Sequence, residues 1–405
     1  MAKGTVSLKI AILIHRYGSD IVGGAETHAR QIAHKLKHDL GYDVDVLTTT
    51  AREYTTWKKY YDEGESWDGA IRVLRFHPSL GRSIFFKIAG RANRLIFFCQ
   101  KRPWLKKLGS WLENLWILLQ GPFCPKLIEY AKLHQHQYHK IIFFTYLYHP
   151  TLKGLLEAKE KAILVPTAHD EAPFHFQAVK KLLHAAPRIL VNSVPEKDMI
   201  LEKIPGQQDK IDVVGLGIKL PPRKKPQTTK VDPYILYLGR ICRGKGVQSL
   251  IDDFVAIRSH KLKGYKLVLA GHLESDISLP DDPRINYRGY VSSDEKQRLL
   301  LGATAMANPS PLESLSLIVL EAMASRTPVL VNRACEVLSY YATQTSTVIP
   351  YTPSQDFEAG LLKVSEKDWT KADAQDELEQ SRDWVARHYS WPAVLKTYER
   401  AIQDC

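Results

Sequence analysis

The sequence predicts an α/β fold made of two parallel-sheet domains of Rossmann type, and three observations support this prediction. The chain has 405 residues, which is long for one domain and comfortable for two. Short apolar stretches typical of strands alternate with helical stretches in both halves of the chain, which is the pattern of a parallel sheet. A segment at 219–232, rich in proline and charge, separates the two series and has the composition of a linker.

The first domain is predicted to span residues 1–218. The helix that follows Gly24 has apolar residues at helical spacing. Six strands are expected in this domain, at residues 9–15, 43–48, 72–76, 140–145, 162–166 and 188–192. The opening apolar stretch lacks a cleavage-like site and therefore predicts a first buried strand rather than a signal peptide.

The second domain is predicted to span residues 233–389. Its strands are expected at residues 234–238, 266–270, 305–308 and 328–331, and its helices at residues 247–258, 293–302 and 316–324. We expect the final stretch, 390–405, to form a helix that packs back on the first domain. Ligands of parallel sheets bind at the carboxyl ends of the strands, so we expect the site in the cleft between the two domains.

Composition and charge narrow the class of protein. Apolar residues make up 44% of the chain and charged residues 25%, which is typical of a soluble globular protein. No apolar run approaches the ~20 residues of a membrane-spanning helix. The five cysteines form no close pair, which favours a reducing compartment and argues against a disulfide framework or a cysteine-based zinc site. The net charge of +12 indicates an acidic partner, such as a phosphate ligand, nucleic acid or an anionic membrane.

Two glycine-rich turns follow predicted strands. Gly23 and Gly24 open the first helix, where backbone amides can approach an anion, although an ordinary strand-to-helix turn explains this pair equally well. In the second domain, Gly239 and Arg240 end a strand, and Lys245 follows in a glycine-rich turn. A guanidinium and an ammonium in such a turn suit a diphosphate, and the alternative is a solvated run of charge. The first turn lacks the G-x-G-x-x-G fingerprint, and the second lacks the Walker A pattern.

Glu313 and Glu321 are separated by seven uncharged residues. Glu313 is expected in the loop before the predicted helix 316–324, and Glu321 within that otherwise apolar helix, so the pair can bracket an elongated ligand. A buried carboxylate without a partner is costly, and a ligand hydroxyl would supply the partner. The alternatives are that Glu321 pairs with a lysine or arginine, or that it lies on an exposed face of the helix.

The two glutamates resemble the Glu-x7-Glu motif of the retaining glycosyltransferases of family four, which have the GT-B fold of two Rossmann-like domains facing across a central cleft. The similarity extends over nearly the whole chain. It includes HRYGSDIVGGAETHARQIAHKL, VPTAHDEAPF, ILVNSVPEKDMI, VVGLGI, YLGRICRGKG, VLAG, YRGYVSSDEKQRLLLGATAMANPS, PSPLESLSLIVLEAMASRTPVLV and YSWPAVLKTYERAI. Each stretch is weak by itself, and their order and spacing together carry the resemblance.

The resemblance implies a role for each matching residue. Arg240 and Lys245 resemble the pair that stabilises the leaving diphosphate. Glu321 resembles the residue that binds the ribose hydroxyls, and Glu313 the residue beside the donor sugar. His169 resembles the active-site histidine near the transferred sugar. The remaining donor-binding positions are Gly23, Gly24, Gly239, Val291, Leu315 and Ser316.

The family implies transfer with retention at the anomeric carbon, without a metal or other cofactor, from a nucleoside-diphosphate sugar as donor. Preorganised cations and helix amides stabilise the charge that develops on such a leaving group. Two other patterns resemble metal ligands. Asp43 and Asp45 alternate within a predicted strand, and the histidines at 134–139 are expected on the solvated surface. We therefore expect no metal site.

The sequence departs from the family pattern at three places. Arg326 stands where the family commonly has glycine, and 314–316 is Ser-Leu-Ser in place of Gly-Phe-Gly. The glycine-rich turn that usually follows the next strand is replaced by residues 334–341. These differences bear on which donor sugar is used, while the residues implied in catalysis are all present.

A basic and aromatic segment at 81–126 contains nine basic residues and one acidic residue, Glu113. Interleaved with them are Phe85, Phe86, Phe97, Phe98, Trp104, Trp111 and Trp116. Basic residues with aromatic anchors at helical spacing suit a helix in the headgroup region of an anionic leaflet. The alternative is that the phenylalanines belong to the core of the first domain and that the cations face solvent or an acidic acceptor.

The sequence therefore predicts a cytoplasmic glycosyltransferase, peripheral on the cytoplasmic membrane face, that transfers a sugar to a saccharide or lipid-linked acceptor in cell-surface glycan or polysaccharide synthesis. The alternatives are a nucleotide-sugar epimerase on the same fold and a nucleotide-sugar-binding protein without catalytic activity. Nucleic-acid binding is not expected, because no recognised binding module accompanies the positive charge.

Overall fold

The structure is a computed structural model that describes residues 8–21, 23–80, 93–223 and 232–404. The chain divides into two compact units. The first unit comprises Met1–Asn192, Glu196–Val214 and Leu395–Cys405, and the second comprises Ser193–Pro195 and Gly215–Val394. Most of the predicted linker falls at 224–231, outside the described residues.

The first unit contains an eight-stranded sheet. Its strands are β1 Lys9–Leu13, β2 Asp43–Thr49, β3 Gly64–Asp68, β4 Ile71–Phe76, β5 Lys140–Phe144, β6 Ala162–Val165, β7 Arg188–Val191 and β8 Ile211–Val213. Their order across the sheet is β3-β4-β2-β1-β5-β6-β7-β8. β3 pairs antiparallel with β4, and the other neighbours are parallel. The six predicted strands are confirmed to within two residues at each end.

Helices connect the parallel strands of this unit. They are α1 Gly24–His38, α2 Asn93–Gln100, α3 Lys106–Gln120, α4 Pro125–His134, α5 His149–Glu157, α6 Gln177–Ala185 and α7 Val194–Lys203. The apolar residues at helical spacing in α1 lie on its buried face, as the sequence predicts. All five residues of β5 are buried, because helices cover a parallel sheet on both faces.

The second unit contains a six-stranded parallel sheet. Its strands are β9 Tyr234–Leu238, β10 Lys266–Ala270, β11 Ile285–Gly289, β12 Ala305–Asn308, β13 Val329–Asn332 and β14 Val348–Tyr351. Their order is β11-β10-β9-β12-β13-β14. The helices are α8 Val247–Val255, α9 Ser293–Gly302, α10 Leu317–Ala324, α11 Glu336–Gln344, α12 Phe357–Glu366, α13 Ala372–Tyr389 and α14 Trp391–Gln403, of which α14 continues into the first unit.

Four strands were not predicted from the sequence, and all four lie at sheet edges. They are β3, β8, β11 and β14. An edge strand has one neighbour instead of two, and most residues of β3 and β11 are exposed. The hydrophobic pattern that marks a buried strand is therefore weak in these segments.

The described residues contain four cysteines, Cys99, Cys124, Cys242 and Cys335, and all four are buried free thiols. Within the described ranges, no helix is both long enough and apolar enough to cross a membrane.

Candidate active site

Three neighbouring strands of the second sheet end at glycines with positive φ angles. Gly239 follows β9, Gly271 follows β10 and Gly289 ends β11, with φ angles of +136°, +143° and +67°. A Cβ atom on Gly271 would collide with the carbonyl oxygen of Gly239. Backbone groups therefore form much of this carboxyl edge of the sheet, which is where ligands of parallel sheets bind.

The turn after β9 packs against the loop after β12. It contains a short 3₁₀ turn at Arg243–Lys245 and ends at Gly246, which has a φ angle of +72°. A Cβ atom on Gly246 would collide with the backbone carbonyl of Pro309. Glycine therefore permits both the left-handed conformation and the close approach of the two segments.

This approach brings two predicted site residues together. Lys245 Nζ donates a hydrogen bond to Glu313 Oε1 at 2.9 Å, and both side chains are more than two-thirds buried. Arg240 is half exposed, and its Nη1 lies 3.6 Å from Glu274 Oε1. The structure thus places the two cations on one turn and a predicted donor-site carboxylate beside one of them.

Side chains from two strands and a helix fix the loop 309–316. Their hydrogen bonds join Asn308 Nδ2 to Ser316 Oγ (2.8 Å), Asn332 Nδ2 to the Pro309 carbonyl (2.9 Å) and the Tyr341 hydroxyl to the Leu315 carbonyl (2.6 Å). Ser316 has a φ angle of +57° and immediately precedes α10. Ser316 stands where the family pattern has its second glycine, so a serine here adopts a conformation that favours glycine. Asn308 donates a hydrogen bond to the hydroxyl oxygen of this serine.

Glu321 has a partner within the protein. Lys296 Nζ, on α9, donates to both carboxylate oxygens of Glu321 at 2.6 and 2.8 Å. The side chain of Glu321 retains a quarter of its exposure, so it is not fully buried. Of the two alternatives to a ligand role that the sequence left open, pairing with a lysine is the one observed. Lys296 was missed because a lysine on a polar helix indicates a solvated surface.

The two glycines at the start of α1 have different surroundings. Gly23 precedes α1, and a Cβ atom there would collide with the carboxylate of Glu26, whereas Gly24 has open space around it. Glu26 is buried beside His15 and Arg16, with 3.0 Å between His15 Nε2 and Glu26 Oε1. Burial acts to raise the pKa of Glu26, but the hydrogen bond and charge from His15 and the charge of Arg16 lower it overall. Only Gly23 is therefore required by packing.

His169 lies in the loop after β6 and is half-buried. The loop is anchored by Glu196 of α7, whose carboxylate accepts hydrogen bonds from the backbone N–H of Ala168 at 2.5 Å and of Asn192 at 2.7 Å. Glu196 is 2% exposed. Burial raises the pKa of Glu196 to about 8, and the two backbone hydrogen bonds, which lower it, offset this only in part. The sequence did not single out Glu196, since a glutamate on a polar helix indicates solvent exposure.

The remaining predicted position, Val291, is half-buried and follows Gly289 and Tyr290 at the edge of the second sheet. Tyr290 is 89% exposed. Gly239, Arg240, Lys245, Val291, Glu313, Leu315, Ser316 and Glu321 thus belong to the second unit, and Gly23, Gly24 and His169 belong to the first.

Three of the side chains that resemble metal ligands have other partners. Asp45 is bound by Arg72, by Lys9 at 3.1 Å and by the Tyr138 hydroxyl at 2.8 Å. His134 and His139 each contact a backbone carbonyl at 3.0 Å. In the part of the chain that the structure describes, no group of three or more His, Cys, Asp or Glu side chains is arranged to hold a metal ion.

The raised pKa of Glu196 predicts a pH dependence of stability. Because its pKa is about 8 in the folded state against 4.5 in the unfolded chain, the folded state keeps a proton that the unfolded state releases between these values. The free energy of unfolding should therefore fall as pH rises from about 5 to about 8. Glu196→Gln should remove this contribution, as measured by urea denaturation at several pH values.

Glu202→Gln is the matched control, because Glu202 is exposed on the same helix. It should keep the pH dependence of the wild type. The prediction is contradicted if the free energy of unfolding depends on pH in the same way in the wild type and in Glu196→Gln.

Comparison with known proteins agrees with this architecture. The family model described as glycosyl transferases group 1 matches residues 232–367. The chain is 22% identical over 419 residues to an uncharacterized glycosyltransferase of Methanocaldococcus jannaschii, with 96% of each protein covered.

Two solved structures share the fold over nearly the whole chain. The lipopolysaccharide outer core galactosyltransferase WaaB, in its apo form, matches with a TM-score of 0.62 at 15% identity, covering 98% of this chain and 99% of that chain. Anabaena HepE, solved in complex with UDP and glucose, matches with a TM-score of 0.61 at 14% identity, covering 98% and 100%. The chain is therefore a glycosyltransferase of GT-B fold, similar to family four, whose residues 232–367 match the group 1 glycosyltransferases.

Proposed function

We propose that this glycosyltransferase is retaining and metal-independent, and that it transfers a sugar from a nucleoside-diphosphate sugar to a saccharide or lipid-linked acceptor in cell-surface glycan or polysaccharide synthesis. The observation that carries the proposal is the contact between Lys245 and Glu313 beside the glycines that end β9, β10 and β11. Retention is proposed because the spacing of Glu313 and Glu321 resembles that of the retaining family.

The diphosphate of the donor is proposed to bind at Arg240 and Lys245. Arg240 is half exposed and Lys245 is partly exposed, so an anion can reach both side chains. A diphosphate carries more negative charge than one carboxylate and can compete with Glu313 for the ammonium of Lys245. Glu313 is then available to face the donor sugar, while the two cations stabilise the charge that develops on the leaving diphosphate.

The ribose of the donor is proposed to bind at Glu321. Lys296 donates a hydrogen bond to each oxygen of this carboxylate. An ionised carboxylate has about four lone-pair sites, so oxygen lone pairs remain to accept hydrogen bonds from the two ribose hydroxyls. Uridine is the first base to test, because UDP is the nucleotide bound in the HepE structure.

Removing either cation should slow transfer more than it weakens binding. Arg240→Ala and Lys245→Ala should each lower the turnover of the correct nucleotide sugar on the order of 100-fold, because leaving-group stabilisation is lost. Glu321→Ala should mainly raise the dissociation constant of the nucleotide. Thermal shift with UDP-, GDP- and ADP-sugars identifies the donor, and a product assay measures turnover and separates transfer from epimerisation.

Lys261→Ala is the matched control, because Lys261 is an exposed, paired lysine of the second unit. Lys261→Ala should leave both the turnover and the dissociation constant of the nucleotide unchanged. The donor-site proposal fails if nucleotide affinity and turnover both survive Glu321→Ala and Lys245→Ala.

Transfer is expected to need no divalent metal, since Arg240 and Lys245 can cover the charge of the diphosphate. Activity measured in excess EDTA should equal activity in untreated buffer. Complete loss of activity in EDTA, restored by added magnesium or manganese, would overturn metal independence.

The proposed membrane association rests on an exposed face of α2 and α3, which pack against each other. We call this surface the hairpin face, and its large apolar side chains are 36% to 78% exposed. They are Leu95, Phe98, Trp104, Leu108, Trp111 and Leu115. Its exposed cations are Lys101, Arg102, Lys106 and Lys107. Apolar anchors beside cations suit the surface of an anionic leaflet, so the enzyme is proposed to work at the cytoplasmic membrane face.

The segment 81–126 is not uniform in its structure. Residues 81–92, with Phe85 and Phe86, lie outside the described residues. Trp116 is 4% exposed and packs against Phe176, so its interpretation as a membrane anchor is wrong. The reason is helical geometry, because Trp116 lies on the side of α3 that faces the core, whereas Trp111 lies on the opposite side.

Charge reversal on the hairpin face should release the protein from anionic membranes. Each surface cation contributes about 1 kcal/mol to adsorption, so changing Arg102, Lys106 and Lys107 to glutamate should weaken binding about 100-fold or more. Co-sedimentation with vesicles that contain anionic lipid measures the effect, and nucleotide binding should be unchanged.

The same charge change at Lys159, Lys180 and Lys181 is the control, because these exposed lysines of the first unit lie outside the hairpin face. This control variant should bind vesicles more tightly than the variant in which the cations of the hairpin face are changed to glutamate. Membrane association is excluded if the wild-type protein ignores anionic vesicles at low salt.

A further inference from the structure

The backbone near His169 is strained. His169 lies in residues 166–176, which follow β6 and which we call the β6 loop, and Thr167 in this loop has a φ angle of +50°. Thr145 begins residues 145–148, which follow β5 and which we call the β5 loop, and its φ angle is +67°. β-Branched residues rarely adopt this left-handed region, and they persist in it only where surrounding contacts impose the conformation. Contacts around the two loops therefore hold the backbone in place.

The β5 loop lies beside the β6 loop. β5 and β6 are parallel neighbours in the sheet, with Phe144 opposite Val165 at their carboxyl ends. Just beyond these ends, the backbone N–H of Thr145 donates a hydrogen bond to the carbonyl of Val165 at 2.8 Å. Side chains of the β5 loop can therefore reach the β6 loop.

Tyr146 of the β5 loop contacts the β6 loop in two ways. Its hydroxyl donates a hydrogen bond to Glu171 Oε1 at 2.5 Å, and its ring packs edge to face on Phe174, with 5.7 Å between the ring centroids. Tyr146 is 2% exposed. Burial, together with the charge of Glu171, raises the pKa of the Tyr146 hydroxyl well above its usual value. The hydroxyl therefore keeps its proton and remains a donor to Glu171 at neutral pH.

Glu171 connects this contact to His169 through the backbone. The N–H of Glu171 donates to the carbonyl of His169 at 2.9 Å, and the N–H of Phe174 donates to the carbonyl of Glu171 at 2.9 Å. On the other side of His169, the carboxylate of Glu196 binds the N–H of Ala168. The chain is therefore fixed both before and after His169, by side chains that come from two other segments.

We propose that Tyr146 and Glu171 are positioning residues, which hold His169 in place beside the transferred sugar. The inference rests on the proposed function, because it assumes that a sugar is transferred at His169. Both residues act through the backbone of the β6 loop. A misplacement of about 1 Å in a catalytic group can slow a reaction about 100-fold, so a small shift of this loop is expected to lower the rate.

The first test is the turnover of Tyr146→Phe, which loses the hydroxyl and keeps the ring. The probes are UDP-glucose, GDP-mannose and ADP-glucose, with methyl hexopyranosides as acceptors, and the release of nucleoside diphosphate measures turnover. The kcat should fall about tenfold or more, because His169 is displaced. The dissociation constant of the nucleoside diphosphate should be unchanged, because the side chains proposed to bind the diphosphate and the ribose belong to the second unit.

Variants of Glu171 test whether its role is to accept the hydrogen bond of Tyr146. Glu171→Gln keeps an oxygen that can accept this bond and should retain most of the turnover. Glu171→Ala loses the acceptor and should be as slow as Tyr146→Phe. The double variant Tyr146→Phe/Glu171→Ala should be no slower than either single variant, because both changes remove the same interaction.

Hydrogen exchange measures the loop directly and does not depend on turnover. The peptide that covers residues 166–176 should exchange its amide hydrogens faster in Tyr146→Phe than in the wild type, because the N–H groups of Glu171 and Phe174 open more often.

Tyr138→Phe is the matched control. Tyr138 is 1% exposed, and its hydroxyl donates to a carboxylate oxygen of Asp45 at 2.8 Å, so the same kind of buried hydrogen bond is lost. Tyr138 precedes the amino end of β5, whereas Tyr146 follows the carboxyl end of this strand. The control should lose thermal stability as Tyr146→Phe does, but it should keep the kcat and the hydrogen exchange of the β6 loop.

The inference is overturned if Tyr146→Phe keeps the kcat of the wild type or if the exchange of residues 166–176 is unchanged. It is also overturned if Glu171→Gln is as slow as Glu171→Ala, because the carboxylate would then act on the substrate directly. An unchanged Tyr146→Phe in an active protein rejects this inference alone. A wild-type protein that binds none of UDP, GDP and ADP and turns over none of the probes rejects the proposed function, and this inference with it.

Discussion

The absence of a side chain at Gly246 is the constraint on which the candidate donor site depends. Because no Cβ atom separates the two segments, the turn after β9 reaches the backbone of Pro309, and Lys245 reaches Glu313. The loop that carries Glu313 is in turn fixed by hydrogen bonds to its two ends, so the carboxylate has a defined position before any ligand arrives. Preorganised charges of this kind stabilise a transition state without reorganising during the reaction.

The interior of the fold was predictable from the sequence, and its edges were not. Central strands such as β1 and β5 are buried on both faces, so burial selects a continuous apolar run that marks the strand. The four edge strands lack this mark. β11 contains Asn286, Tyr287 and Arg288, all exposed, and it is a strand because its backbone pairs with β10. Backbone pairing leaves little trace in residue type, which is why pattern alone did not find it.

Some residues of the candidate site were also predictable from the sequence, and others were not. The glycines and cations that follow strands were predicted from the sequence. Glycine is favoured at unusual backbone conformations, and arginine and lysine bind anions. The partners of those residues were not found. Lys296 and Glu196 lie on polar helices and act through contacts that join segments 25 and 28 residues apart in the chain. Such contacts depend on the folded arrangement and have no local pattern in the sequence.

Carboxylates of the first unit hold segments of the chain together in two different ways. Glu113, on the buried side of α3, accepts hydrogen bonds from the backbone N–H of Gln177 at 3.0 Å and of Ala178 at 2.6 Å, at the start of α6. Glu196 binds two backbone amides in the same manner, so both carboxylates satisfy amides that would otherwise be unpaired. Asp68, at the end of β3, is instead bound by side chains. Arg30 and the Tyr17 hydroxyl donate hydrogen bonds to it, and His34 Nε2 lies 3.0 Å from it. A carboxylate that binds backbone amides fixes the course of the chain, whereas Asp68, which binds Arg30 and His34 of α1, joins its strand to that helix.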